Sequence, residues 1–109
     1  MLTVKEYCYE DVEIFVAPKL GKKIHLGRAN FVKFKNEYQR ITSFKGIHYV
    51  FCYNVQISDF NFTKCPNYED LIKGIHFNLF IKDNDNNTII IKNLTYKWSN
   101  NTSLILQSI

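Results

Sequence analysis

Three histidines, three cysteines and two carboxylate clusters are the residues of this 109-residue chain whose types could do chemistry. His25, His48 and His76 lie far apart, with no pair at the i, i+2 or i, i+4 spacing that puts two imidazoles on one face of a strand or helix. Each reads as a surface or rim residue of a separate strand. Glu10, Asp11 and Glu13 form one acidic cluster; Asp83, Asn84 and Asp85 form the other. A calcium loop opening at Asp83 needs glycine at its sixth position and glutamate at its twelfth, where this chain has Thr88 and Leu94. Turn chemistry explains that cluster better. Cys8, Cys52 and Cys65 fit no zinc spacing, and an odd number argues against a secreted disulfide framework. Cys52 falls in an apolar strand and reads as a buried thiol. Cys65 precedes a helix, where a thiol becomes more acidic. Pro66 follows it directly, however, and nothing marks a base or an oxyanion hole. No glycine-rich phosphate loop and no nucleophile elbow is present. The expectation is a protein without catalytic residues, metal or cofactor.

The formal charge is +4, which raises the question of nucleic acid. Phe31, Lys33, Phe34, Lys35, Tyr38 and Arg40 interleave aromatic and basic residues, as a single-strand platform of OB type does. Lys33, Lys35 and Arg40 are the candidate nucleic-acid contacts. The plainer reading puts Val32 and Phe34 inward and the lysines in water, and it is preferred. Lysine is otherwise scattered, and Arg28 and Arg40 are the only arginines, whereas arginine is the usual bidentate phosphate ligand. Asn61, Asn86, Asn93, Asn100 and Asn101 stand in sequon positions. In a chain so rich in asparagine these read as compositional accidents, and the composition suggests an AT-rich genome. Met1 to Glu10 lacks the features of a signal peptide, and no apolar run reaches the ~20 residues of a transmembrane helix. A soluble protein of a reducing compartment is the expectation, with no membrane partner.

These residues must be positioned mainly by strands, because the dominant period is two. Aromatics make up 16% of the chain and favour half-buried pleated surfaces. Val12, Ile14 and Val16 mark a first strand. Pro18 to Gly21 turns the chain, and Lys23 to Leu26 returns. Val32 and Phe34 alternate with Lys33 and Lys35, and after a bend near Asn36 a strand covers Tyr38 to Thr42. From Ile47 to Ile57 every odd residue is apolar, which predicts one long strand with Tyr49, Phe51 and Tyr53 facing the core. The period then changes. Pro66 to Gly74 predicts a two-turn helix over 67–74, capped by Asn67, ended by Gly74 and packed through Leu71 and Ile72. Ile75, Phe77, Leu79 and Ile81 form a strand, and the Asp83–Asn87 turn leads into Thr88 to Trp98. There the apolar face switches from Ile89 and Ile91 to Leu94, Tyr96 and Trp98, the mark of a β-bulge or a two-sided strand. Leu104 to Ile109 closes the chain. Seven to eight mostly antiparallel strands with one short helix predict a β-sandwich or small barrel, a single domain over 1–109.

Phe15, Phe31, Phe80 and Ile90 fall on the faces opposite the main core residues. Apolar residues on both faces of several strands mean either a sandwich interior on each side or an exposed apolar surface, and in a chain this short the latter implies a subunit interface. The order of elements from Asn67 to Trp98 (short helix, extended strand, Asp/Asn-rich turn, strand Thr88 to Leu94) resembles the tail-tube proteins of contractile phages and siphophages. Asp11 to Val16 and Leu26 to Phe31 are similar to the early strands of that family. The resemblance implies a sandwich or barrel with one flanking helix, six subunits joined into a ring around a DNA channel, and no catalytic residues. Tail-terminal and baseplate proteins on the same fold fit it equally. The first expectation is thus a non-enzymatic tail component, located in a virion or a host cytoplasm, that self-associates through strand edges and apolar faces, as a homo-oligomer or with other tail proteins. The alternatives are a small phage-encoded inhibitor of a host defence enzyme and an OB-type single-strand binder.

Overall fold

The computed structural model describes residues 5–36, 41–44 and 46–109, so Tyr38 and Arg40 lie outside the described residues. The alternating segments form β1 (Lys5–Pro18), β2 (Ile24–Asn36), β3 (Ile41–Phe44), β4 (Ile47–Val50), β5 (Asn54–Asn61), β6 (His76–Lys82), β7 (Thr88–Ser99) and β8 (Ser103–Ser108). One helix, α1 (Tyr68–Ile72), lies between β5 and β6. β7, β6, β1, β2, β5 and β8 pair antiparallel in that order, and β8 pairs back onto β7. The sheet therefore closes as a six-stranded barrel, the second of the two architectures expected. β4 runs parallel to the first half of β7 outside this circuit, and β3 pairs with β4. The barrel consists of two three-stranded meanders, β1-β2-β5 and β6-β7-β8. Their first strands pair with each other, and so do their last. This two-fold order is topological and has no counterpart as a sequence repeat.

Inward-facing aliphatic residues fill the barrel. Ile14, Val32, Ile57, Leu79, Ile91 and Leu106 are all fully buried, each worth roughly 1.5–3 kcal/mol against exposure. Where one phase of alternation holds, sequence and structure agree: Val12, Ile14 and Val16 point inward, as do Phe77, Leu79 and Ile81.

The long strand expected over Ile47–Ile57 is in fact two strands. β4 ends at Val50 and β5 starts at Asn54, each with a different neighbour. Phe51 and Tyr53, expected inward, are 41% and 45% exposed, while Val50 and Cys52 are buried. Buried positions are thus even up to Cys52 and odd from Val55. A single-residue phase change reverses every side chain beyond it, and apolar residues on both phases hid the break. The first strand likewise begins at Lys5, well before Val12. Its inward positions shift from Tyr7 and Tyr9 to Val12 at Asp11, whose φ is 51°. The registers place Asp11 opposite Asn30, and Asn30 opposite Asp59, also at φ 51°. Aspartate tolerates this left-handed geometry better than most residues, and the inward phase of β1 and of β5 shifts at these two positions.

In β7 the face switch is a β-bulge. Asn93 has φ 61°, its N–H donates to Asn78 Oδ1 at 3.1 Å, and the register slips between Phe77 and Leu79. A second slip between Tyr96 and Trp98 corrects one expectation, because it turns Trp98 outward to 50% exposure. At the Asp83 turn the carboxylate is spent on the chain itself, Oδ1 accepting from the N–H groups of Asp85 and Asn87 at 2.9 Å each.

The helix is shorter than expected, and Asn67 does not cap it. At φ −97°, ψ 30° the Asn67 side chain makes no cap bond, since capping geometry needs an extended backbone. Its Oδ1 faces Cys65 Sγ at 3.7 Å instead. Gly74 takes the left-handed conformation foreseen for it, at φ 77°. Tyr68 and Ile72 seat the helix, with Tyr68 edge-on to Phe62 at 5.0 Å. A polar clasp holds it as well: Ser99 Oγ donates to Glu69 Oε2 at 2.9 Å and lies 2.6 Å from the Tyr96 hydroxyl. Ser99→Ala is expected to lower stability by about 1 kcal/mol in urea denaturation. Amide exchange should speed up in 68–72 ahead of the barrel strands.

Candidate functional site

With the interior filled, the surface available for work is the outside of the barrel. Strand registers assemble one outer row that no local window contains. His25 pairs with Phe15, Phe15 with Phe80, Phe80 with Ile90, and Ile90 with Tyr49. The row crosses β2, β1, β6, β7 and β4, four steps of ~4.8 Å. Phe15 stacks on His25 with ring centroids 4.4 Å apart. Lys23 Nζ stands 5.0 Å from the Phe15 ring and 5.3 Å from Phe80, and Lys92 Nζ 5.0 Å from Tyr49. The lysine stems shield part of the rings and the ammonium groups make the row cationic. Three of the four candidate interface residues therefore come together, but as partly covered surface: Phe15 and Phe80 are half-buried and Ile90 is buried, at 7%. Phe31 does not join them. It lies six positions along β2 from His25, roughly 20 Å away, opposite Glu10 and Ser58 and under Lys33 at 6.0 Å.

Beside the row runs an ion network on the β1–β2 hairpin. Arg28 donates to Asp11 Oδ1 from Nη2 at 2.7 Å and from Nε at 3.1 Å, and to Glu13 Oε1 from Nη1 at 2.5 Å. Glu13 Oε2 meets His25 Nε2, also at 2.5 Å. The Glu13–His25 pair is not legible in the sequence, since the register sets Glu13 opposite Arg28 and His25 opposite Phe15 and so makes the two diagonal neighbours across the hairpin. Partial burial pushes the Glu13 carboxyl up, but the hydrogen bonds and charges of His25 and Arg28 outweigh it and hold it below the usual carboxylate range. A lowered folded-state pKa contributes stability that is present above the unfolded value, about 4.3, and is lost as pH falls through the folded value. Glu13→Gln is therefore expected to be less stable than the parent at pH 6. The two urea midpoints should converge as pH drops below the unfolded carboxylate range. A gap that stays constant to the acid end would contradict this.

Lys33 and Lys35 are exposed while Val32 and Phe34 are buried, which is the plainer arrangement. The lysines flank a shallow hollow with Glu6, Asn54, Gln56 and Ile105. The registers continue from Lys33 to Gln56, Ile105 and Trp98, a second outer row on the far side of the barrel. Trp98 joins that row only because of the second slip in β7. Arg40, the third nucleic-acid candidate, lies outside the described residues. His48 and His76 sit on β4 and β6, apart from His25. Among the described residues no group of three or more His, Cys, Asp or Glu side chains is placed to hold a metal ion. Nor is any described helix long and apolar enough to cross a membrane. No family model, no curated protein and no solved structure matches the chain.

Proposed function

We propose that this protein is a non-enzymatic structural subunit of a phage tail that works by self-association. The observation that carries the reading is the aromatic row from His25 through Phe15, Phe80 and Ile90 to Tyr49. A barrel needs apolar residues inside; this row lies outside it, with Ile90 already buried at 7% and Phe15, Phe80 and Tyr49 half-buried, and the open part of those rings is what a neighbour can cover. Closure removes the edges of the barrel strands, so association runs through this face more than through edges. The β3–β4 hairpin, outside the circuit, is the element left for edge pairing. Light scattering coupled to size exclusion, with electron microscopy of the same fractions, tests the reading. Rings, tubes or a defined oligomer are expected, and a strict monomer at high concentration overturns it.

The second outer row favours one other reading, single-strand nucleic-acid binding by Lys33, Gln56 and Trp98. Trp98 is the sole tryptophan and half exposed. A stacking base would quench its fluorescence, with an affinity that falls as salt rises. No quenching by oligonucleotides removes that reading.

A further inference from the structure

The β1–β2 turn meets the start of β6 in a groove at one end of the barrel. Two adjoining hollows share Pro18, Lys19, Gly21 and His76; Leu20 lies on one and Phe51 and Lys92 on the other. The turn itself is fixed. Gly21 N–H donates to the Pro18 carbonyl at 3.0 Å and Lys19 N–H to the His76 carbonyl at 3.3 Å. Nothing in that geometry calls for leucine at position 20, yet the Leu20 side chain is fully exposed, at 102%. Phe51, at 41%, is a second large apolar side chain left uncovered. The lining contains no acidic residue, while Lys19, Lys92 and His76 contribute cationic or ionisable groups.

We infer that this groove binds an acidic segment of a partner polypeptide, carboxylates meeting Lys19 and Lys92 and an apolar side chain covering Leu20 or Phe51. The inference rests on the reading of the protein as an assembly component and names the chemistry of its neighbour. A hollow bounded by two separate apolar side chains suits a chain laid along it; a bilayer would meet only the protruding Leu20. Charge lining of a single sign selects the partner, since rim charges set encounter rate and reject like-charged surfaces.

The test is fluorescence anisotropy with a short labelled peptide of alternating Glu and Leu, against a Gln–Leu peptide and a Glu-only peptide. The Glu–Leu peptide is expected to bind, the other two far more weakly. Lys19→Glu, and separately Leu20→Asp, should each weaken binding about tenfold or more. Lys33→Glu on the far face should leave it unchanged. Circular dichroism confirms that each variant is folded, and Leu20 and Lys19 are exposed enough for that. Equal binding of the Gln–Leu peptide, or indifference to the groove variants, overturns the inference. So does capture of phosphatidylserine vesicles or single-stranded oligonucleotide lost on the same substitutions in place of peptide binding. Light scattering of the parent separates the two readings. A monomer that binds the peptide removes self-association and keeps the groove; an oligomer that ignores the peptide does the reverse.

Discussion

Gly27→Ala is expected to leave little folded barrel at room temperature. Gly27 lies in β2 at φ 146°, a conformation that side chains rarely adopt, and the end of β5 passes directly over it. A β-carbon there would stand 2.1 Å from the Asn61 carbonyl oxygen and 2.9 Å from the Phe62 α-carbon. Both obstacles are backbone, so no side-chain rotation relieves them. Strain at such a φ costs roughly 1–3 kcal/mol, and forcing the packed strands apart roughly as much again or more. Small domains have about 5–15 kcal/mol in total, so the sum removes a large part of it. The damage spreads as well. Phe62 stacks on Phe60 at 4.3 Å and meets Tyr68 edge-on, so moving it loosens the seat of α1. Gly74 is the control. Its φ is 77°, but nothing lies within 4 Å of a built β-carbon, so Gly74→Ala carries only the left-handed penalty of roughly 1–2 kcal/mol. Urea denaturation followed by circular dichroism measures both. Equal midpoints for the two variants would show that the β2–β5 crossing is looser than the structure has it.

The sequence shows elements well where one face is apolar and the other is not. Val12 to Val16, Phe77 to Ile81 and the Asp83 turn have a single phase or a single chemistry, and each is legible. The 47–57 stretch misleads because Tyr49, Phe51 and Tyr53 compete with Val50 and Cys52 for the core, and local alternation cannot say which phase the sheet will select. Tyr7 and Tyr9 escape for a related reason, since the shift at Asp11 breaks one strand into two phases. Closure is illegible in principle: the pairing of β8 with both β5 and β7 is a long-range choice that no window of residues contains. The same holds for the candidate site. Phe15, Phe80 and Ile90 were recognisable singly as apolar residues on a second face. That they share a row, and that Phe31 does not, depends on three strand registers and on the bulge at Asn93.

That row sets the second large effect. Phe80→Glu is expected to abolish self-association while sparing the fold. Phe80 faces outward between Phe15 and Ile90, and Lys23 already stands 5.3 Å from its ring. Phe80 is half-buried and not a core residue, so in the isolated subunit a carboxylate here can pair with Lys23 at the surface and the thermal midpoint should fall far less than for a core substitution. In an assembly the same carboxylate would have to be stripped of water against an apolar neighbour. Losing a buried phenylalanine costs roughly 1.5–3 kcal/mol, and burying a charge adds several more unless it is well paired. The dissociation constant should therefore rise about a hundredfold or beyond. Phe15→Glu should act alike, because Phe15 and Phe80 are cross-strand partners under the same lysine. Phe31→Glu, on a remote part of the surface, should assemble like the parent. Light scattering over a concentration series distinguishes these outcomes. If Phe80→Glu assembled at the parent's concentration while Phe31→Glu did not, the contact would lie on the face carrying Phe31, and the row from His25 to Tyr49 would be only a lysine-shielded outer wall.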